Sequence, residues 1–513
     1  MVGMGYLRSY LESHGIECPL RDLNIESRSY LLDTAANPEL VRRLYSQSCR
    51  TYLAEAMVWS WLDPDGPQAL VRRAAQHPSA ALREFWADEG IARLETDAEL
   101  RQESGRLRAW LLDRVPEIAA AAHGWVGFST AITNLAANLF LARELKRLDP
   151  GLFIVMGGPE VTARNATELL ASFPYVDAAI PAPAYQPLAA LVAGIGRARR
   201  GPLPPGVWRR NAAGAIESDD QRCWVDLDSL PPADWRGIDW RRYARGFLLV
   251  DTPEAMAHWY PTVPLHTSQG CSYNACDFCY NVALYPRFDA QSPGRVADEI
   301  RRQMGQAGTH GFFFTDFEFN SSPSRVLEIC RRIRELPDEI RFYCWLRLDK
   351  LDPALLRAMY EAGTRQVFIG VEAVDDGLLR LMRKGYTADF AIEKLEMLDR
   401  FCQEYPDLRY EFNLITNYPG ETLASVRSTL ERIAENPHLF YHRVAAVVEF
   451  MLHEGTGAYQ ALRPVAAGCN EPLMPPGASL RSYRHVYPET YGKERDERLE
   501  IWSAIRTLVQ RHV

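Results

Sequence analysis

The chain has 513 residues, of which 47% are hydrophobic, so its length predicts two or three domains and its composition can fill large cores. The formal net charge is -8 and acidic and basic residues are mixed along the chain, so charge gives no reason to expect a nucleic-acid or membrane-surface partner. No apolar run is long enough to span a membrane, and residues 1–10 lack the apolar core of a signal peptide. We therefore expect a cytoplasmic protein with reduced thiols.

The amino-terminal region, residues 1–200, is predicted to be a Rossmann-like, doubly wound α/β domain. Residues 3–24 are typical of an amphipathic helix that ends at Gly15 and is followed by a short strand, as in a Rossmann-like unit without its first strand. Residues from about 27 to 117 predict a helical insertion. The α/β pattern then resumes with strands at 125–129 and 176–180, helices at 134–148 and 166–171, and a buried strand that runs into Gly157 and Gly158. A glycine pair at a strand end permits close approach to a ligand, but a tight turn uses it as readily.

Residues 201–260 are rich in Pro, Gly, Trp and Arg and are predicted to be a linker. From residue 261 a strand–helix rhythm begins, and three helix starts, Ser292-Pro293, Ser322-Pro323 and Asp352-Pro353, recur thirty residues apart. That spacing is typical of βα units in a parallel barrel. Candidate strands lie at 263–267, 311–315, 341–347, 366–371, 409–415 and 444–450. Six strands predict a partial (β/α)6 barrel over residues 261–452, followed by a carboxy-terminal extension at 453–513.

Three cysteines, Cys271, Cys276 and Cys279, occupy a nine-residue loop directly after the first candidate strand. A closed structural zinc site takes four protein ligands, whereas three thiolates suit a 4Fe–4S cluster that leaves one iron open. Half of a zinc site and three thiols used only in packing are the alternatives. The chain has no second CxxC pair, and its seven other cysteines are scattered singly, so the spacing favours the cluster.

Polar side chains follow the other candidate strands where active-site residues of a parallel barrel lie. Strand alternation places Phe368, Gly370 and Glu372 on one face of their strand, and Glu411, Asn413 and Ile415 on one face of another. Any one of these polar residues could equally be a cap, an ion pair or a solvated strand end. Together they predict a polar ring around the cysteine loop, made of Asp316, Glu318, Arg347, Asp349, Glu372, Asn413 and Asn417.

These motifs together resemble the radical SAM enzymes. The resemblance rests on the cysteine loop, the aromatic Tyr280 after the third cysteine, the Asp at the second strand end, RxD at the third, GVE at the fourth, Lys384-Gly385, and PGET at 419–422. GFS, a helix and GGPEVT at 157–162 make the chain similar to the branch with an amino-terminal cobalamin-binding-type domain.

The resemblance implies the cofactors and their ligands. Three cysteines would hold a 4Fe–4S cluster whose fourth iron chelates S-adenosylmethionine (SAM), and Tyr280 would lie near the adenine. Asp316 or Glu318 would face the SAM amino group. Arg347 and Glu372 would bind its carboxylate and its amino or ribose groups, since an Arg fork suits a carboxylate. By the same resemblance, Asn413 and Asn417 are the remaining candidate cofactor-binding residues.

Three departures from the family pattern bear on function. The first cysteine interval has four residues instead of three, no DxHxxG motif supplies a histidine to cobalt, and PAPAYQP at 181–187 replaces an acidic turn. Cobalamin binding is left open by these changes. We therefore expect transfer of the 3-amino-3-carboxypropyl group of SAM to a small molecule or a peptide in specialised metabolism, as in arsinothricin-type enzymes.

Two alternatives remain, a cobalamin-dependent methyltransferase and a non-catalytic iron–sulfur protein. The expected partner is a reductase or a flavodoxin-type electron donor, with no nucleic acid and no membrane.

Overall fold

Two large sheets organise the computed structural model of the chain, a five-stranded sheet and a six-stranded sheet. The structure describes residues 2–35, 40, 52–77, 83, 86–87, 90–131, 134–181, 183–195, 201–240, 262–453, 455–466 and 495–510. Described residues from 3 to 240 belong to a first compact unit, and those from 262 onward belong to a second. No described helix is long and apolar enough to cross a lipid bilayer.

The sheet of the first unit has three parallel strands followed by an antiparallel hairpin, in the order β1-β2-β3-β4-β5. Its strands are β1 (Trp125–Ser129), β2 (Phe153–Gly157), β3 (Ala178–Ile180), β4 (Trp208–Arg210) and β5 (Ile216–Ser218). The three parallel strands confirm the predicted Rossmann-like pattern. The hairpin was not predicted, because β4 and β5 lie in the segment interpreted as a linker. Trp208 is buried against the sheet, and Arg209 pairs with Glu217 across the hairpin at 2.9 Å.

Helices form the rest of the first unit. They span Val2–Ser13, Leu23–Thr34, Tyr52–Trp59, Gly66–Ala75, Arg93–Thr96, Ala98–Ala121, Leu135–Leu148, Ala166–Ser172 and Tyr185–Ala193. The described part of the predicted insertion is helical, and its helices Tyr52–Trp59 and Ala98–Ala121 pack against Leu135–Leu148.

The short strand predicted before residue 24 is absent from the described residues, and that prediction was wrong. Gly15 has a left-handed φ of +74°, and the backbone then turns so that the Ile16 N–H donates to the Leu11 carbonyl. Asp22 already caps the next helix by accepting from the N–H groups of Asn24 and Ile25. The short segment between the two helices pairs with no strand.

The second unit is built on six parallel strands in the order β13-β12-β11-β10-β9-β6. These strands are β6 (Thr262–Leu265), β9 (Gly311–Phe314), β10 (Arg341–Leu346), β11 (Thr364–Glu372), β12 (Arg409–Thr416) and β13 (Val444–Glu449). All six predicted strands are confirmed, and β6 and β13 form the two open edges of a partial (β/α)6 barrel. A small antiparallel pair, β7 (Ser268–Gln269) with β8 (Asp289–Ala290), was not predicted.

Helices connect these strands, as parallel pairing requires. They span Tyr280–Leu284, Pro293–Ala307, Pro323–Ile333, Pro353–Glu361, Asp376–Leu381, Ala388–Glu404, Leu423–Glu435 and Pro437–Phe440. Two further helices, Gly457–Ala466 and Arg495–Gln510, follow the last strand. The three predicted helix starts are confirmed. Ser292, Ser322 and Asp352 each accept a hydrogen bond from the backbone N–H three residues later, with proline at the first helical position.

Candidate active site at the strand ends of the second unit

The cysteine loop lies at the carboxyl end of β6, between the short strands β7 and β8. Cys271, Cys276 and Cys279 are each partly exposed, whereas Cys330, Cys344 and Cys402 of the same unit are buried. The loop therefore places three partly exposed cysteines at the edge of the sheet where a parallel barrel places its active site.

The second half of the loop is anchored to segments that follow β11 and β13. The Asp277 N–H donates to the Met382 carbonyl at 3.0 Å, and the Asp277 carbonyl accepts from the Ala458 N–H at 3.2 Å. The Tyr418 hydroxyl donates to Asp277 Oδ2 at 3.1 Å, and Phe278 packs against the apolar cluster that contains Tyr418. Contacts from three elements distant in sequence hold the CxxC half of the loop in place.

The longer first half of the loop is held by Tyr273. Its hydroxyl donates to the Arg383 carbonyl at 2.8 Å, and the Arg347 guanidinium lies 3.7 Å from the centre of its ring. Gly385 has a φ of +84°, and a Cβ at this position would overlap the Tyr273 hydroxyl. Asn274 adopts a left-handed φ of 48°, which turns the chain within the four-residue interval. Tyr273, Arg347 and Gly385 thus form one slot, hereafter the Tyr273 slot.

Asp316 and Glu318 are fully buried and have different tasks. Asp316 Oδ1 accepts from the N–H groups of Thr267 and Ser268, both at 2.7 Å, and so fixes the end of the first strand. Glu318 Oε2 accepts from Cys271 Sγ at 3.0 Å and from the Ser272 N–H at 2.8 Å. Of the two predicted residues, only Glu318 is in contact with the cysteine loop in these interactions.

Lys350 completes the surroundings of Glu318. Its ammonium lies 2.7 Å from Glu318 Oε1 and also donates to the Ser272 hydroxyl and the Ser321 carbonyl. Burial opposes ionisation of Glu318, but hydrogen bonds from Lys350 and Cys271 hold the pKa of the carboxyl below its ordinary value. An ionised carboxylate therefore stands beside the first cysteine.

Arg347 is buried beside the second cysteine. Its Nε and Nη2 atoms each donate to the Asp349 carboxylate at 2.9 Å, Nη2 also donates to the Lys384 carbonyl at 3.2 Å, and Nη1 lies 3.8 Å from Cys276 Sγ. Asp349 thus occupies the fork that the sequence assigned to the SAM carboxylate. The RxD motif is in this structure a bidentate ion pair that supports the loop.

Glu372 ends β11 with a left-handed φ of 70°, and its carboxylate lies 3.7 Å from the buried ammonium of Lys384. Burial raises the pKa of Glu372 above its ordinary value. Lys384 also donates to the Gly370 carbonyl at 2.7 Å. Burial lowers the Lys384 pKa, but Tyr386, Glu372 and Cys276 outweigh it and hold the pKa of this ammonium above its ordinary value. A buried cation next to Glu372 and close to Cys276 is an unusual arrangement, and buried ions of this kind occur at functional sites.

The other predicted residues have contacts elsewhere at this end of the sheet. Tyr280 stacks on His453 with ring centroids 4.6 Å apart. Asn417 donates from Nδ2 to Glu449 at 2.9 Å, and its N–H donates to Glu421 at 2.9 Å. Asn413 is half-buried on β12. The structure therefore brings Glu318 and Arg347 to the cysteine loop, and Glu372 to Lys384 beside it. Tyr280 and Asn417 instead contact residues at the end of β13 and its neighbours.

Sequence reasoning missed three residues of this site, Tyr273, Lys350 and Lys384. Lys384 had a signal, because the Lys384-Gly385 pair was part of the motif set. Tyr273 lies in the interval whose extra length was noted, but nothing in the sequence shows which groups it meets. Lys350 is one residue past the RxD motif and has no pattern of its own.

The loop suits a cluster better than a single ion. In the described part of the chain, no three His, Cys, Asp or Glu side chains converge closely enough to bind one metal ion. Each thiolate of a 4Fe–4S cluster binds a different iron, so its sulfur atoms do not have to converge. Burial raises the pKa of all three thiols, that of Cys271 to about 12, and the nearby Lys384 and Arg347 favour the Cys276 thiolate. Three thiols in one loop, with two cations beside Cys276, fit this group.

The strand ends of the first unit carry small residues. Gly158, at φ +98°, would place a Cβ 2.5 Å from the Thr130 carbonyl oxygen, and Gly157 would place one 3.2 Å from the Ile180 carbonyl. The Thr130 N–H donates to the Gly157 carbonyl at 2.7 Å. These glycines are required by close approach of the chain to itself. Ser129, Gly157 and Gly158 nevertheless remain partly exposed, so the ends of β1 and β2 offer a surface without bulky side chains.

Residues 265–433 match the family model of the Radical SAM superfamily. An uncharacterized methyltransferase of Pyrococcus horikoshii is 24% identical over 310 residues, which cover 60% of this chain and 63% of that relative. This chain therefore spans less than two thirds of that relative. The methyltransferase TsrM of Kitasatospora setae, solved with cobalamin and a 4Fe–4S cluster, aligns with a TM-score of 0.56 at 21% identity and covers 71% of each chain.

The cobalamin-dependent enzyme OxsB, solved with aqua-cobalamin and SAM, has the same TM-score of 0.56 at 14% identity, with 77% of this chain and 60% of that chain covered. At such identities the two solved structures show a shared fold. The fold in question combines a cobalamin-binding-type unit with a radical SAM barrel.

Proposed function

We propose that this chain, a member of the radical SAM superfamily through residues 265–433, is a methyltransferase that uses SAM at a 4Fe–4S cluster and carries a cobalamin-binding-type amino-terminal unit. The observation that carries the proposal is the three-cysteine loop, held at the carboxyl ends of six parallel strands with Glu318, Arg347 and Lys384 around it. The methyltransferase names of the similar proteins support the choice of reaction.

The reaction expected from the sequence, transfer of the 3-amino-3-carboxypropyl group, is not supported by these relatives. The alternative, cobalamin-dependent methylation, agrees better with a methyltransferase relative and with solved structures that contain cobalamin. The missing DxHxxG motif and the altered turn at 181–187 count less against cobalamin, because the fold of the first unit is preserved.

Cys271, Cys276 and Cys279 would hold the cluster in this proposal. When bound, a 4Fe–4S cluster supplies an electron to the SAM sulfonium and leaves one iron open to the amino and carboxylate groups of SAM. Glu372 provides a carboxylate for a SAM amino or ribose group, and Lys384 keeps that carboxylate oriented through their 3.7 Å contact. Glu318 orients the Cys271 end of the loop by accepting from the Ser272 N–H and hydroxyl, and Arg347 with Tyr273 orients the Cys276 end.

The first unit would hold cobalamin at the carboxyl ends of β1, β2 and β3, where a doubly wound sheet binds its ligands. A bound cobalamin supplies a cobalt centre for methyl transfer. The small, partly exposed residues Ser129, Gly157 and Gly158 leave room there for a broad ring. The chain offers no DxHxxG histidine to the cobalt, so binding would rely on the surface and not on a protein ligand to the metal.

The acceptor, the electron donor and the cellular location stay proposals. We propose a small-molecule acceptor, because the candidate active site is confined to the carboxyl ends of one sheet. The chain also has no excess of basic residues with which to bind a nucleic acid. A flavodoxin-type protein or its reductase would provide electrons. A cytoplasmic location remains a prediction of the sequence.

The test is analysis of SAM fragments after anaerobic reconstitution and reduction, with and without hydroxocobalamin. S-adenosylhomocysteine formed only with cobalamin, together with stoichiometric cobalamin binding, supports the proposal. In that reaction one SAM would take up an electron and break into methionine and a 5′-deoxyadenosyl radical, which removes a hydrogen atom from the acceptor and leaves as 5′-deoxyadenosine. A second SAM would supply the methyl group that replaces this hydrogen and would leave as S-adenosylhomocysteine. Methylthioadenosine formed without cobalamin would instead establish aminocarboxypropyl transfer, and stoichiometric zinc without iron uptake would exclude radical chemistry.

A further inference from the structure

The six-stranded sheet of the second unit has two faces of different character. On β10, Phe342, Cys344 and Leu346 are at most 2% exposed, whereas the intervening Tyr343 and Trp345 are partly or largely exposed. The same alternation runs through β11 and β12. One face is covered by helices, and the other, hereafter the open face, carries the residues at the alternate positions.

Four aromatic residues on three adjacent strands line the open face. We call this set the aromatic wall, and it consists of Phe313, Tyr343, Trp345 and Phe368. Phe313 and Tyr343 stack with centroids 4.5 Å apart, and Trp345 and Phe368 stack at 4.7 Å. Tyr343 and Phe368 meet edge to face at 6.2 Å and join the two pairs. The rings therefore form one continuous surface.

Trp345 stands out by its exposure. In the described part of the chain, the exposed large hydrophobic side chains are Leu148, Leu327, Trp345 and Leu381. The three leucines lie on helices, whereas Trp345, 37% exposed, lies on a strand in the interior of the sheet. An aromatic surface of this kind beside a candidate active site is typical of ligand-binding sites.

A carboxylate adjoins the aromatic wall. Glu411 on β12 is in register with Phe368, which is in register with Trp345. Its side chain is half-buried, and burial raises its pKa against the opposing effects of the nearby Arg409, Gln366 and Arg443. In the described part of the chain, no ion pair within 4.0 Å is formed by this carboxylate, whereas Glu318 and Glu372 each have a lysine. Glu411 can accept hydrogen bonds from a ligand that lies against the wall.

We propose that the aromatic wall and Glu411 form the acceptor subsite, and that the acceptor is a planar aromatic molecule with an ammonium or N–H group. This inference rests on the proposed function, because it takes the strand ends as the SAM site. Trp345 precedes Arg347 by two residues, which is roughly 7 Å along a strand at about 3.3 Å per residue, and Arg347 lies beside Cys276. A ring on the Trp345 side of the wall would therefore lie beside the strand ends.

The experiment measures binding of defined probes to the reconstituted full-length protein by anaerobic calorimetry. The probes are phenethylamine and tryptamine, with 2-cyclohexylethylamine as the non-aromatic amine and 3-phenylpropionate as the aromatic anion. We expect the two aromatic amines to bind about tenfold more tightly than either control compound, since stacking and a charged hydrogen bond each contribute on the order of tenfold.

Variants assign this binding to the wall. Trp345→Leu and Phe368→Leu should each weaken aromatic-amine binding about tenfold, and Glu411→Gln should remove the preference for amines over 3-phenylpropionate. Leu327→Ala, on an exposed helix position, and Glu361→Gln, 45% exposed, are the matched controls and should bind as the unchanged protein does. Thermal unfolding of each variant shows whether it is folded.

The outcomes separate this inference from the proposed function. Equal binding of aromatic and cyclohexyl amines, or unchanged affinity in folded Trp345→Leu and Phe368→Leu, would overturn the subsite even if the protein cleaves SAM. Failure of the unchanged protein to cleave SAM would overturn the proposed function, while the probe affinities would still report on the wall. Loss of aromatic-amine binding in the two wall variants, with both control variants unaffected, establishes the subsite.

Discussion

The two sheets differ in what they place at the carboxyl ends of their parallel strands. In the first unit the ends of β1 and β2 carry Ser129, Gly157 and Gly158, which are small and uncharged, and β3 ends in the apolar Ile180. In the second unit the strand ends carry buried ions, with Glu318 paired to Lys350 and Arg347 paired to Asp349. The same edge of a parallel α/β sheet has therefore been used in two ways.

This difference indicates a division of roles. Buried ion pairs cost desolvation free energy and persist where their orientation is needed, so the second unit is organised to hold small charged groups in one geometry. Small side chains and glycines bury no charge, so they carry little desolvation free energy. They leave an open surface, which suits a broad ligand held by shape. We expect substitutions in the second unit to affect the chemistry and those in the first to affect cofactor retention or stability.

The largest effect is expected from the cysteines of the loop. Cys271→Ala, Cys276→Ala and Cys279→Ala should each lose the cluster and all SAM cleavage, because each thiolate holds its own iron. Reconstituted unchanged protein should contain about four irons per chain by iron analysis and absorbance spectroscopy. Cys330→Ala, Cys344→Ala and Cys402→Ala, all at buried positions away from the loop, should keep the iron. Iron retention in any of the first three variants contradicts the assignment.

A pair of glycines, one in each unit, tests the division of roles more finely. Gly385→Ala should displace Tyr273 from its slot and lower iron content and SAM cleavage about tenfold, since steric overlap adds to the strain of a positive φ that costs on the order of 1 to 3 kcal/mol. A second substitution in that variant, Tyr273→Ala, removes the overlapping side chain and should restore part of the iron content. Gly305→Ala, where a Cβ meets nothing within 4 Å, is the control.

In the first unit, Gly158→Ala should lower the midpoint of thermal unfolding without changing iron content, because its Cβ would meet the Thr130 backbone. Gly194→Ala is the control, since a Cβ there has no neighbour within 4 Å. If Gly158→Ala kept its thermal stability but lost hydroxocobalamin binding, the glycine would serve the ligand and not the packing of the chain.

Two charged residues of the second unit should separate SAM binding from loop support. Glu372→Ala should weaken SAM binding by roughly 1 to 3 kcal/mol, the cost of a lost charged hydrogen bond, while the iron content stays unchanged. Arg347→Ala should lower the iron content, because the guanidinium stacks on Tyr273 and contacts Cys276. Asp349 occupies the Arg347 fork, so SAM binding should fall only in proportion to the iron that is lost.

Equilibrium dialysis with labelled SAM and iron analysis provide the two measurements for these variants. Glu361→Ala, at an exposed helix end, is the control for charge removal. Unchanged SAM affinity in Glu372→Ala would remove Glu372 from the SAM site, and unchanged iron content in Arg347→Ala would contradict its role in loop support.

The smallest effect is expected at a helix start. Asp352→Ala should lower the free energy of unfolding by about 1 kcal/mol, because Asp352 accepts the Leu355 N–H at 2.9 Å. Asp338→Ala, at an exposed loop position, should have no measurable effect in the same urea titration. SAM cleavage at saturating SAM should be equal in both variants, and a loss of activity in Asp352→Ala would mean that the cap also positions the site.

The six barrel strands and three of their helix starts could be predicted from the sequence because each of these signals lies within a few consecutive residues. A run such as FFF at 312–314 and a Ser-Pro pair at 322–323 act through local conformation, whatever the rest of the chain does. The cysteine loop was equally readable, since its three thiols are close in sequence. The local signals were misleading at residues 16–22, where the chain turns between two helices, and at β4 and β5, where a polar hairpin resembles a linker.

The arrangement around the cysteines depended on tertiary structure. Tyr273 meets Arg383 across 110 residues and Arg347 meets Cys276 across 71, so no local pattern could pair them. The Arg347 fork shows the limit most clearly, because the sequence assigned it to a ligand carboxylate and the fold presents Asp349 to it. Strand ends that are distant in sequence meet at one edge of a parallel sheet, and the partners of a charged side chain there are decided by which ends are adjacent.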